Sequence, residues 1–164
     1  MKMNSDYANK TIKNLQAEID SLLQNEEIGK KYSYGVSEKP VVPEYSFSAT
    51  QQKLEILRTK IAVLRHAINV FNITTKICDF NITVDEALGR MSMLNNEKKR
   101  LYALLQIPEQ TRHREYGSRE ADIICRNFDI AEVQEEYNKV TDELMKIQQA
   151  INIANLTVEF DVEF

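Results

Sequence analysis

The chain has little of what most active sites are built from. Its 164 residues include two histidines, two cysteines, four glycines, three prolines and no tryptophan. Each scarcity excludes something. Cys78 and Cys125 make no disulfide framework and fit a reducing compartment, so the expected location is the cytoplasm. Gly29, Gly35, Gly89 and Gly117 are scattered, which rules out a Gly-x-Gly or Gly-Lys-Thr/Ser phosphate loop and a Gly-x-Ser-x-Gly nucleophile elbow. No stretch approaches the roughly 18 consecutive apolar residues of a membrane span. Met1 to Asn25 holds no apolar run of signal-peptide type, so neither a membrane partner nor export is expected. The net charge of −4 argues against a nucleic-acid partner, because such proteins usually carry a basic excess.

Metal chemistry is poorly supplied as well. His66, His113, Cys78 and Cys125 are the only soft ligands, and none falls at the short spacings of zinc sites. A di-iron bundle needs Glu-x-x-His pairs on facing helices. Val63 precedes His66 by three and Gln110 precedes His113 by three, so that motif is absent. No cofactor and no metal are expected.

What the chain does have is periodicity. Few helix breakers over such a length favour long helices over many short strands. Hydrophobic residues make up 43% and charged residues 28%, the range of an ordinary globular protein. Ala8, Ile12, Leu15, Ile19 and Leu22 step by four and three. So do Leu54, Leu57, Ile61, Leu64, Ile68 and Phe71. Ala87, Met91, Leu94, Lys98, Leu101 and Leu105 continue the pattern with one charged interruption, and Tyr137, Val140, Leu144, Ile147, Ile151 and Ala154 repeat it. Stripes of this period are the seams of helices packed nearly parallel or antiparallel, as in a coiled coil. Thr83-Val84-Asp85-Glu86 has the form of a capping box, Asp129 to Glu132 is an Asp variant of it, and Ser48 or Thr50 is placed to cap the second helix. Asn72 and Asn155 read as left-handed caps at the helix ends.

Ala67-Ile68-Asn69-Val70-Phe71-Asn72-Ile73-Thr74 is echoed by Ala150-Ile151-Asn152-Ile153-Ala154-Asn155-Leu156-Thr157, a shift of 83 residues. The fold class expected is therefore mainly α: four helices in two antiparallel hairpins, with an internal duplication as one explanation and coincident heptads as the other. Residues 1–164 are read as a single helical domain, with hairpin one at about 4–72 and hairpin two at about 83–156. The connection from Glu26 to Phe47 carries Tyr32, Tyr34, Tyr45 and Phe47 and is expected to drape over the bundle. Thr74 to Phe80, Ala121 to Arg126 and Thr157 to Phe164 read as extended, which predicts a small β element at one end.

Few residues invite a chemical reading. His66 falls at the outermost heptad position of its helix, a solvated site. His113 has no local catalytic partner in Thr111-Arg112-His113-Arg114. Arg112, His113, Arg114, Arg119 and Arg126 lie within 15 residues and form the one candidate anion-binding cluster. The interleaved Glu109, Glu115, Glu120 and Asp122 offer internal partners instead, and that reading is preferred. Lys98 on an apolar seam can set register or oligomer state, or lay its stem along the seam with its ammonium in water.

The order of several short motifs resembles an uncharacterised family of small bacterial helical proteins, some of whose members carry the label septicolysin-like. The residues concerned are Ile68-Asn69-x-x-Asn72, Thr83-x-x-Glu86-Ala87-Leu88-x-Arg90, Arg114-x-Tyr116-x-x-Arg119-Glu120, Asp129, and Ile151-x-x-x-Asn155, over about residues 50 to 160. Leu156 stands where that family commonly has Trp, and the first connection is longer and aromatic. The resemblance implies a bacterial helical protein and supplies no activity or site residues. The cytolysin label implies membrane attack, for which these residues provide no apolar hairpin and no Lys-rich amphipathic face.

The sequence thus points to a non-catalytic structural or interaction module that forms a homo-oligomer through apolar seam residues, with a protein partner as a further option. The alternative is an anion or nucleic-acid binder using the loop 112–126.

Overall fold

The computed structural model describes residues 1–113 and 122–163. The elements run β1 (Lys2–Asn4), α1 (Ser5–Gly29), α2 (Phe47–Thr74), α3 (Val84–Leu105), β2 (Gln110–His113), β3 (Asp122–Cys125), α4 (Ile130–Thr157) and β4 (Glu159–Asp161). The fold is mainly α: α1 packs on α2 and α3 on α4 as two hairpins, with two small antiparallel strand pairs. The chain divides into two compact units, Met1–Thr75 with the chain from Ala154 onward, and Lys76–Ile153.

In the first unit the stripes seen in the sequence meet. Ile19 of α1 packs with Leu54, Leu57 and Ile61 of α2, flanked by Ile12, Leu15 and Leu22. Toward the other end Met3, Ala8, Leu64 and Val162 form a second cluster with Phe160 against it. Leu54, Leu57, Ile61, Leu64 and Phe71 are all buried, so these seam residues are core. The strand pair closes this end. Lys2, Met3 and Asn4 oppose Asp161, Phe160 and Glu159, and the Phe71 and Phe160 rings lie 5.4 Å apart. Asn4 links three elements. Its side-chain oxygen accepts from the Tyr7 amide at 2.8 Å and starts α1, while its Nδ2 donates to the Leu156 carbonyl in the last turn of α4.

Two expectations about this unit are corrected. The first connection does not drape over the bundle: Tyr32, Tyr34, Val36, Val41 and Val42 are all exposed. Only its end is tethered, where the Tyr45 hydroxyl donates to the Glu26 carboxylate. The cap of α2 is Ser46, which accepts from the Ala49 amide, rather than Ser48 or Thr50.

In the second unit Leu101 of α3 packs with Val140 and Leu144 of α4, flanked by Met91, Leu94, Val133 and Tyr137. The Thr83 capping box forms as read: Glu86 N–H donates to Thr83 Oγ1 at 3.2 Å, and Thr83 N–H donates to the Glu86 carboxylate at 2.7 Å. Asp129 caps α4 through the Ala131 amide. Arg90 and Glu143 form an ion pair across the hairpin. β2 and β3 extend the connection between the two helices as a two-stranded ribbon, with Gln110 opposite Cys125 and His113 opposite Asp122. Thr74 to Phe80 is not a strand; it contributes only an isolated bridge from Lys76 to Thr83.

Asn72 and Asn155 lie inside helices and are not left-handed caps. Positive φ occurs instead at Asp79 and Asn81, in the turn before α3. Thr74 stays helical with its hydroxyl donating to the Val70 carbonyl. The echoed segments close their helices in the same place. α2 and α4 each have 28 residues, and their ends superpose under the same 83-residue shift. The terminal bond from Thr75 N–H to Phe71 O is matched by Val158 N–H to Ala154 O.

Candidate functional site

The Arg-rich segment was the one candidate site, and its described members separate. Arg112 and His113 are neighbours on β2 and both are exposed. Consecutive strand residues point to opposite faces, so the two side chains leave the ribbon in opposite directions. Arg126 follows β3. Its Nε donates to Phe128 O at 3.2 Å, its Nη1 donates to Ile107 O at 3.3 Å, and the guanidinium stands 5.5 Å from the Phe128 ring. Those bonds hold the two ends of the ribbon connection together. Arg114 and Arg119 lie outside the described residues. His113 faces Asp122 across the ladder, and no hydrogen bond or ion pair joins the two.

His66 is exposed on α2, as its heptad position requires. Among the described residues no group of His, Cys, Asp and Glu converges to hold a metal ion. Cys78 and Cys125 are free and exposed. Lys98 sets its ammonium 5.5 Å from the Tyr137 ring, so the charge on the seam meets a π face. A groove between α3 and α4 runs past Met91, Lys98, Thr141, Met145 and Asn152. Among the described residues its lining has one cation, a hydroxyl, amides and thioethers and no carboxylate. Thr141 Oγ1 is buried there with no hydrogen-bond partner.

Among the described residues, the titratable groups with shifted pKa values lie at helix ends, on helix faces and, for Tyr45, in the first connection. The Thr83 backbone amide holds the Glu86 carboxyl below its usual range, helped by the Thr83 hydroxyl. Hydrogen bonds from Arg100 and Lys139 do the same for Glu97 and Glu135. The hydrogen bond that the Tyr45 hydroxyl donates to the Glu26 carboxylate keeps the phenol protonated and raises its pKa. These are local structural pairs that do not share a cleft, unlike the paired groups of a catalytic centre.

What the second unit does present is apolar side chains in water. Ile123 and Ile124 are 61% and 56% exposed on β3, and all eight residues of β2 and β3 are exposed. Met93 and Met145 are 74% and 62% exposed on α3 and α4. Sequence reasoning placed a short strand at Ala121 to Arg126 but did not single out its isoleucines. The signal was present, because two adjacent apolar residues on a strand of a two-stranded ribbon cannot both face a core.

The fold recurs in a functionally unknown conserved protein from Corynebacterium diphtheriae, known from a crystal structure. That protein is 20% identical, with a TM-score of 0.66 over 98% of this chain and 100% of that one. At this identity the likeness carries the fold alone. The chain matches no protein-family model, and no curated protein proved similar to it.

Proposed function

We propose that the chain is a non-catalytic helical interaction module that self-associates as a homo-oligomer. The observation that carries this reading is the ribbon β2–β3. Two strands alone are marginal in water, and three or more strands or a packed helix are normally needed for stability. Here all eight strand residues are exposed, isoleucines included. An exposed edge of this kind is ordinarily paired, covered or blunted by charge. Seam residues such as Leu57, Leu64, Leu101 and Leu144 are buried in the internal cores, which leaves association to exposed apolar residues, those of the ribbon and others such as Met93 and Met145.

The compartment we assign is the cytoplasm. Two exposed free thiols persist there, whereas an oxidising compartment would convert them. Among the described residues no helix is long and apolar enough to cross a membrane. Membrane attack, which the septicolysin-like label implies, forms no part of the proposal. The two hairpins we read as copies of one ancestral unit, on the coincidence of the α2 and α4 ends under a single shift.

Light scattering during size-exclusion chromatography tests the self-association. The mass is expected to rise above 19.0 kDa as the loading concentration increases. A mass fixed at the single-chain value across the series would contradict the proposal.

A further inference from the structure

We infer that the partner of the ribbon is the same ribbon on a second copy, joined edge to edge through β3 in one register. This inference rests on the self-association proposed above and adds the surface that performs it.

The argument begins with the direction of backbone groups. Arg126 N–H donates to Glu109 O at 2.9 Å, one step beyond the Gln110–Cys125 pair. In an antiparallel ladder, hydrogen-bonded and non-hydrogen-bonded pairs alternate. Asp122, Ile124 and Arg126 therefore direct their backbone groups toward the β2 side. Ile123 and Cys125 direct theirs away, to the open edge of β3.

A two-fold antiparallel pairing of β3 with its copy must match outward residues with outward residues. Three registers do so within reach of this strand. One sets Ile123 opposite itself and Asp122 against Ile124 of the other copy, and a second sets Cys125 opposite itself and Arg126 against Ile124. Each of these puts a charge on an apolar side chain. The third sets Ile123 opposite Cys125, and the strand matches itself throughout. Ile124 meets its own copy on the axis, in a non-hydrogen-bonded pair, where side chains approach most closely. Asp122 meets Arg126 of the other copy on both sides of the axis. Ile123 meets the Cys125 side chain, a small apolar group, on the other face.

The charges suit this arrangement. Asp122 is exposed and carries no ion pair among the described residues. Arg126 donates to Phe128 O and Ile107 O through Nε and one Nη1 proton, which leaves three of its five N–H groups available. Opposite charges facing across strands stabilise a pair, and like charges oppose it. The product is a four-stranded sheet in the order β2–β3–β3–β2, which passes the strand number that an isolated ribbon fails to reach.

Disulfide trapping in the full chain, with Cys78→Ser and Cys125→Ser as background, tests the register. In the non-hydrogen-bonded pair on the axis the Cα atoms of position 124 stand about 4.5 Å apart, within the roughly 4.4–6.8 Å span of a disulfide. Position 123 is diagonal to its copy at about 7–8 Å, beyond that span. Under mild oxidation an Ile124→Cys variant is expected to form a covalent dimer, and an Ile123→Cys variant is expected not to. Ile124→Lys, which sets two ammonium groups together on the axis, is expected to abolish the dimer while leaving the helical circular dichroism unchanged. If the background chain is a dimer but Ile124→Cys cross-links no better than Ile123→Cys, this interface is wrong and the self-association proposal stands. If the parent chain, with Cys125 in place, is a monomer at high micromolar concentration, both fall. Should Ile124→Lys unfold the chain, the two cysteine variants decide alone.

Discussion

Single residues carry more of this fold than their exposure suggests. Gly89 sits in the middle of α3, and a Cβ built there meets no atom within 4 Å. Its backbone freedom is therefore a cost with no packing return, and Gly89→Ala is expected to stabilise the chain by about 1 kcal/mol in chemical denaturation. Gly29 is the opposite case: an added Cβ would come within 2.7 Å of the Tyr45 Cβ, so the glycine lets the first connection close against α1. Leu64 is buried between α1 and α2, and Leu64→Ala is expected to cost about 2–5 kcal/mol. The three-and-four spacing located Leu64, because burial on a helix is periodic. The same spacing puts Gly89 on the outer side of its helix but does not show what lies beside Gly89 or Gly29, because it records which face a residue occupies and not what stands opposite. Asn72 and Asn155 show the limit of residue type. Asn tolerates a left-handed conformation without demanding one, and here the tolerance is used at Asn81 instead.

Elements begin and end on polar contacts, and these make stability depend on pH. The Thr83 capping box starts α3, and Thr83→Ala is expected to cost about 1 kcal/mol. Glu86 accepts most strongly as a carboxylate. Its folded pKa lies below the ordinary 4.5, so its contribution is complete above that value and is lost as the pH falls through the lower folded one. Glu97 and Glu135 act in the same direction. A Glu86→Gln variant, which keeps an acceptor but cannot titrate, is expected to flatten the acid limb of a stability–pH profile, and an unchanged limb would count against the assignment. The box was legible because it is a local motif whose two bonds close within three residues. β1 was not, because three residues carry no periodicity and its partner β4 lies at the far end of the chain. The first connection was misjudged for a related reason. Four aromatics suggested a cover for the bundle, but an aromatic ring is buried only if a groove receives it, and grooves are formed by distant segments.

At the scale of the whole molecule, the two-hairpin architecture followed from four stripes and two echoed endings. How Arg112, His113 and Arg126 stand relative to one another did not follow, because opposed faces and spent hydrogen bonds are properties of the folded ribbon. Nothing in the order Thr111-Arg112-His113 tells a reader that Arg112 and His113 part company, or that Arg126 is bound to the carbonyls of Ile107 and Phe128. The same folding leaves Ile123 and Ile124 in water. The account therefore rests on apolar surface that one copy of the chain leaves uncovered. Equilibrium sedimentation of the parent chain beside Ile124→Lys, over a concentration series, measures that directly. The parent is expected to approach twice 19.0 kDa while the variant stays at the single-chain mass. A parent that remains at 19.0 kDa at the highest concentration would contradict the account.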